Sequence, residues 1–366
     1  MQLSAVYEDC CQGDTHVHVN QWKLSAKEER RFTDAVESMA ERVWKEKGLP
    51  EGDMDKPVVA EFAKRLWAGV EKGYGKKLTE VDFSSPDNDM LVALQKNVWQ
   101  FSAAKNFQQL RALTDALIGD DGKLRSYKDF KLAAFKINDQ HINQWLNTEY
   151  DLAVSGSQMA AKWVNITAQA ETLPLLEFDA VIDGRTSDLC RSLNKTILPI
   201  DNPFWKTYYP PNHFKCRSTV WQRQKGKITP ADKIPSADIP PMFRVNLAQE
   251  QLVFPPKHAY YEGVPKEVLS FGDANYKLDT LRTGKGKVYE SGLAYKENTN
   301  PKAHNEAVRH LNEYHLRKDV ANALADYFDK DIFINPEFDS NNDPRFNYFY
   351  KNAPIPLKQP DLTIAG

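Results

Sequence analysis

From residue 26 to about residue 170 the apolar positions recur every three or four residues, which sets them on one face of successive helices. Ser25 precedes the acidic first turn of AKEERR and predicts a helix cap; Gly48 predicts that helix's end. Pro57 suits a first helical turn, and Val59, Phe62, Leu66 and Val70 follow at helical spacing. Ser85-Pro86-Asp87 opens the next helix, which carries Leu91, Leu94 and Val98. Asp120-Asp121-Gly122 predicts a break. Ser126 then caps a long helix through Phe130, Ala134, Ile137, Ile142, Trp145 and Leu146, running to about Trp163. A bundle with these stripes as its core is the simplest expectation, although amphipathic faces also dock partner helices.

The period then changes. Phe178 to Asp183 alternates loosely, as a short strand does, and Ser187 to Cys190 reads as a short helix. Tyr208-Tyr209-Pro210-Pro211-Asn212 predicts a rigid extended turn, because proline fixes φ and restricts the residue before it. Seven prolines between 226 and 266 (Pro230, Pro235, Pro240, Pro241, Pro255, Pro256, Pro265) read as an extended linker. Beyond it, Lys285 to Tyr289 suggests a strand start and His304 to Phe328 a helix. Asp331 to Pro336 suggests a strand ended by proline, and Pro360 to Ile364 another strand. The expected class is α+β, with a segment 1–25, a helical domain 26–174, a small Cys/His-containing α/β domain 175–225, a linker 226–266 and a partial α/β unit 267–366.

Composition narrows the function classes. The 366 residues are 41% hydrophobic and 27% charged, which supports packed cores and excludes wholesale disorder. Lys and Arg number 48 against 50 Asp and Glu, so the net charge of −2 gives no global basic field for wrapping nucleic acid. No run approaches the roughly 18 apolar residues of a membrane span, and no membrane partner is expected. Met1 to Cys11 lacks the basic and apolar regions of a secretory signal. Four cysteines exclude a disulfide scaffold and point to a reducing compartment with free or metal-bound thiols.

The candidate chemistry lies in a cysteine–histidine segment. His213 and Cys216 lie three apart, and Cys190 stands upstream. Thiolate and imidazole suit zinc, whose structural sites take four ligands, and Asp183 is the best local fourth donor. The same residues also read as two buried thiols with a histidine bonded to the turn, or as a Cys–His nucleophile pair. C-x22-H-x2-C is not a standard finger spacing. A second group, Cys10, Cys11, His16 and His18, is either a metal site or part of a loosely packed N-terminal segment.

These residues carry a family resemblance. Asp183-x-Arg185-Thr186, Cys190, Phe204-Trp205 and Pro210-Pro211-Asn212-His213-x-x-Cys216-Arg217 resemble the phage Mu protein F-like domain of minor head proteins and of phage-encoded toxins built on them. Phe101 to Lys105 and Trp145 to Tyr150 resemble the helical region of that family, and Ser218 stands where its members often carry a further cysteine. The resemblance spans roughly 90–225 and weakens over 1–90. It implies a non-enzymatic protein in few copies, inside the virion head or at the portal and in the host cytoplasm during assembly. Its role would be head assembly, DNA packaging or ejection, with portal or capsid proteins and packaged DNA as partners.

The C-terminal segment is similar to the PD-(D/E)xK nuclease ends of contact-dependent inhibition toxins and phage toxins. The resemblance implies Asp361 at the PD position and Asp319 or Glu306 as a helix acid, with carboxylates holding Mg²⁺ and a lysine aligning the water. The E-x-K strand would begin where Gly366 stands, so the segment is expected to be partial and inactive as it stands. A toxin that cleaves tRNA or DNA is the alternative reading. Lys285-Gly286-Lys287 and His310, His315, Arg317 and Lys318 either contact phosphates or form a solvated face.

Overall fold

The computed structural model describes residues 26–48, 54–81 and 85–271, together with three short strands at 288–290, 332–334 and 362–364. Two units result, Met1–Asp273 and Ala274–Gly366. Cys10, Cys11, His16, His18 and the predicted cap Ser25 lie outside the described residues.

Local signals set the helix starts of the first unit. α1 (Ala26–Glu46) is followed by Gly48 at φ +111°. α2 (Lys56–Tyr74) is capped by Asp55, whose carboxylate accepts from the Val58 amide at 3.2 Å, and Pro57 sits in its first turn. It ends on Gly75 in the left-handed region at φ +79°. α3 (Pro86–Asp115) and α4 (Tyr127–Asp139) are capped by Ser85 and Ser126. The long helix expected from Ser126 is interrupted by one π-helical stretch, Gln140–Trp145, and resumes as α5 (Leu146–Ala168). α2 and α5 pack backbone to backbone. A Cβ on Gly73 would stand 2.1 Å from the Val154 carbonyl oxygen, so only glycine fits there.

The sheet region packs on α5. β1 (Leu175–Asp179) is central, antiparallel to β2 (Ile197–Pro199) with Leu176 opposite Leu198, and to β3 (Thr219–Arg223) with Glu177 opposite Trp221. Two short helices, α6 (Asp188–Leu193) and α7 (Phe204–Tyr208), lie between these strands in the chain. Lys162 of α5 donates to Thr219 Oγ1 at 2.7 Å and to the Val220 carbonyl at 2.8 Å. Buried Tyr209 donates to the Met159 carbonyl at 3.0 Å.

The proline-rich stretch departs from a solvated linker. Its backbone is extended with isolated turns, but Phe243, Leu247, Val253, Phe254 and Tyr260 are buried. Phe254 stacks on Phe101 of α3 at 3.8 Å, and Asn97 Oδ1 accepts from the Val253 and Phe254 amides at 2.9 and 2.7 Å. Proline rigidity favours extended chain, yet the apolar residues between the prolines have a helix face to bury against. No described helix is long and apolar enough to cross a membrane.

In the second unit β4 (Val288–Glu290) runs parallel to β5 (Ile332–Ile334), which pairs antiparallel with β6 (Leu362–Ile364). All three coincide with expected strands. Glu306, Asp319, Asp361 and the remaining expected phosphate contacts lie outside the described residues.

Candidate metal centre

Cys190, His213 and Cys216 converge. Their donor atoms all lie within 4.8 Å of one another. Cys190 Sγ is 3.3 Å from His213 Nε2 and 3.8 Å from Cys216 Sγ. Zinc–sulfur and zinc–nitrogen bonds of about 2.3 and about 2.0 Å put the edges of a tetrahedral ligand set at roughly 3.5–3.8 Å. The observed spacings are close to that.

Each donor is held by its own element. Ser187 caps α6 by accepting from the Cys190 amide at 3.2 Å, which seats Cys190 in the first turn. His213 and Cys216 follow Pro210 and Pro211, which are joined by a cis peptide bond. Both prolines are buried, and buried Asn212 donates its amide to the Tyr208 carbonyl at 3.0 Å. His213 Nδ1 donates to the Phe214 carbonyl at 2.6 Å. That bond fixes the tautomer and leaves the Nε2 lone pair facing the two sulfurs and the Ser187 hydroxyl, which lies at 3.1 Å.

The electrostatics separate the two thiols. A hydrogen bond from Cys190, with further hydrogen bonds from the backbone of Asn212 and Ser218 and from the Ser218 side chain, holds the Cys216 thiol low, at about 6. Cys190 is pushed up, first by the bond it gives to Cys216 and then by burial. Cys216 is therefore the more acidic thiol of the pair. Ser218 serves as its hydrogen-bond donor.

Asp183 does not join the cluster. Its two oxygens accept from Arg217 at 2.7 and 2.6 Å, and that guanidinium holds the carboxyl well below the usual carboxylate range. It is exposed, in a turn where its amide donates to Thr186 Oγ1 at 2.7 Å and its Oδ1 accepts from the Arg185 amide at 2.8 Å. The motif residues thus divide. Pro210, Pro211 and Asn212 build the histidine turn, Thr186 and Arg217 fix the Asp183 turn, and the Arg185 side chain is exposed.

The donor set fits a soft divalent ion. Cys190, His213 and Cys216 would hold it, and a tetrahedral ion with three protein ligands keeps a fourth position for water. The ion would cross-link α6 to the turn before β3.

Sequence reasoning missed a second polar cluster. Lys105 and Glu149 are fully buried and meet at 2.8 Å. Tyr260 donates to the same Glu149 oxygen at 2.8 Å and lies 3.2 Å from Lys105 Nζ. The available signal was weak: Glu149 follows Trp145 and Leu146 at helical spacing, but Lys105 shares its helix face with buried Gln108 and Gln109.

Comparison with known proteins places this geometry. Residues 121–221 match the family model described as Phage Mu protein F like protein. Over 75 residues the chain is 32% identical to the capsid assembly protein F of Escherichia phage Mu, a match covering 20% of this chain and 17% of that protein. No solved structure matches. The matched segment runs from the turn before α4 through β3 and contains all three donors. Residues 121–221 therefore form a Phage Mu protein F-like region.

Proposed function

We propose that the chain is a phage minor head protein acting in head assembly, DNA packaging or ejection, bound to portal or inner capsid proteins. The observation that carries this is the family match, which falls on one continuous block of α4, α5 and the three-stranded sheet. Its place is the virion head interior or the portal, and the host cytoplasm during assembly.

In this reading the Cys190–His213–Cys216 centre is structural. Between α7 and β3 the chain forms neither helix nor strand, and His213 and Cys216 lie in that stretch. Zinc would supply a cross-link that holds it, with Cys216 as the thiol that gives up its proton more readily.

The test is co-expression of the full chain with the portal protein of the same genome, followed by size exclusion with mass measurement. A stable complex of defined stoichiometry is expected. Two folded proteins that elute separately at low salt would refute portal binding.

A further inference from the structure

Between α1 and α4 runs a groove of about 270 Å³. Phe32 and Val36 of α1, with Phe130, Ala134 and Ile142 opposite, give it an apolar floor. Its α1 rim is acidic, with Glu29, Glu37 and Glu41 all exposed. The α4 rim carries Lys131 and, at the helix end, Asp139. Phe135 is 70% exposed and Leu132 59%, the two most exposed large apolar side chains among the described residues. Lys128, Lys131 and Lys136 flank them on the same outer surface, each one helical turn from Leu132 or Phe135. A lone apolar pair of that size on a lysine-rich ridge is unneeded for the bundle's own core.

The lysines of the ridge and the glutamates of the α1 rim are opposite in sign. We propose that α4 of a second copy of this chain lies in the groove. Leu132 and Phe135 of that copy cover the apolar floor, and its lysines face Glu29, Glu37 and Glu41. Two-fold symmetry makes the exchange reciprocal, because each copy offers one ridge and one groove. The ridge cannot fill the groove of its own copy, since Lys131 and Phe135 already form its lip. Opposite charges carried on one chain favour self-association over a partner bearing either sign alone. Among the described residues of one copy, Glu41 pairs with exposed Lys45 at 3.5 Å, a weak competitor.

The test is sedimentation of the full chain over a wide concentration range at low and high salt. A dimer that weakens with salt is expected. Phe135→Glu should raise its dissociation constant at least about tenfold. Lys131→Glu should weaken it too, and adding Glu37→Lys should restore it. All three positions are exposed, so the fold survives each change, which circular dichroism checks. A monomer at every concentration, a dimer indifferent to Phe135→Glu, or a charge swap without rescue would overturn the proposal. Portal binding rests on the family match rather than this groove, so either reading can fail without the other.

Discussion

Lys105, Glu149 and Tyr260 in the helical region and Cys190, His213 and Cys216 in the sheet region are two buried polar clusters in one unit, built on opposite principles. The first joins a cation, an anion and a hydroxyl, each answering another at 2.8 to 3.2 Å. Burial lowers the Lys105 pKa, and the Glu149 charge and hydrogen bond oppose that shift. The second gathers groups of one kind. Two sulfurs and one imidazole lone pair face each other, with Cys216 the more acidic thiol. A set of opposites answers its own charges once folded, whereas a set of like donors can be bridged by a cation. That contrast sets the first cluster apart as an internal ion pair and makes the second the candidate metal site.

Removing one partner of the closed cluster should have the largest effect. Glu149→Ala strands a buried ammonium and should cost about 3–5 kcal/mol. Lys105→Met with Glu149→Leu removes both charges and should recover most of that loss. Denaturant unfolding measures both, and a mild single mutant would show that water or another acid reaches Lys105.

The open cluster should respond to metal instead. Zinc at about a hundredfold its dissociation constant should add about 2.7 kcal/mol, read as a rise in melting temperature. Cys190→Ser and His213→Ala should each abolish that rise and the bound zinc. If both variants keep one zinc, the ion sits elsewhere.

A pH titration separates the clusters again. Burial first, and then the Lys105 charge, lower buried His258 to about 3. The unfolded chain, with an ordinary histidine value of about 6.5, therefore takes up the proton first. His258 leaves stability intact above that value and erodes it as pH falls from about 6.5 toward about 3, by about 1.4 kcal/mol per pH unit. His141, also lowered by burial and Lys105, adds to the slope. His258→Gln should flatten the curve in this window, and an unchanged slope would assign the acid loss to other groups.

What the sequence could reveal follows the range of the interactions. Ser85, Ser126 and Pro57 announce helix starts because capping acts within one turn. The cysteine–histidine cluster was legible because soft donors after a double proline point to chemistry before any contact is known. The buried ion pair was not, since Glu149 stands 44 residues from Lys105 and 111 from Tyr260. The packing of the proline-rich stretch was hidden likewise. Proline content reports backbone stiffness, while burial depends on whether a distant face, here around Phe101, is open.

Asp183 tests the comparison at its smallest scale. By position in the chain it is the natural fourth ligand, seven residues before Cys190. In the structure its carboxylate is an opposite-charge partner, taken by Arg217, and so follows the logic of the closed cluster. That pair is well exposed, and exposed pairs add little stability. Asp183→Ala should therefore move the melting temperature less than any variant above and leave the zinc stoichiometry unchanged, because Cys190, His213 and Cys216 stay in place. Arg217→Ala should behave alike for zinc, since the guanidinium is not a donor to a cation. Metal analysis of the purified variants decides the matter. Zinc lost from Asp183→Ala but kept by Arg217→Ala would mean that the carboxylate leaves its arginine for the ion, and the fourth position would then belong to the protein rather than to water.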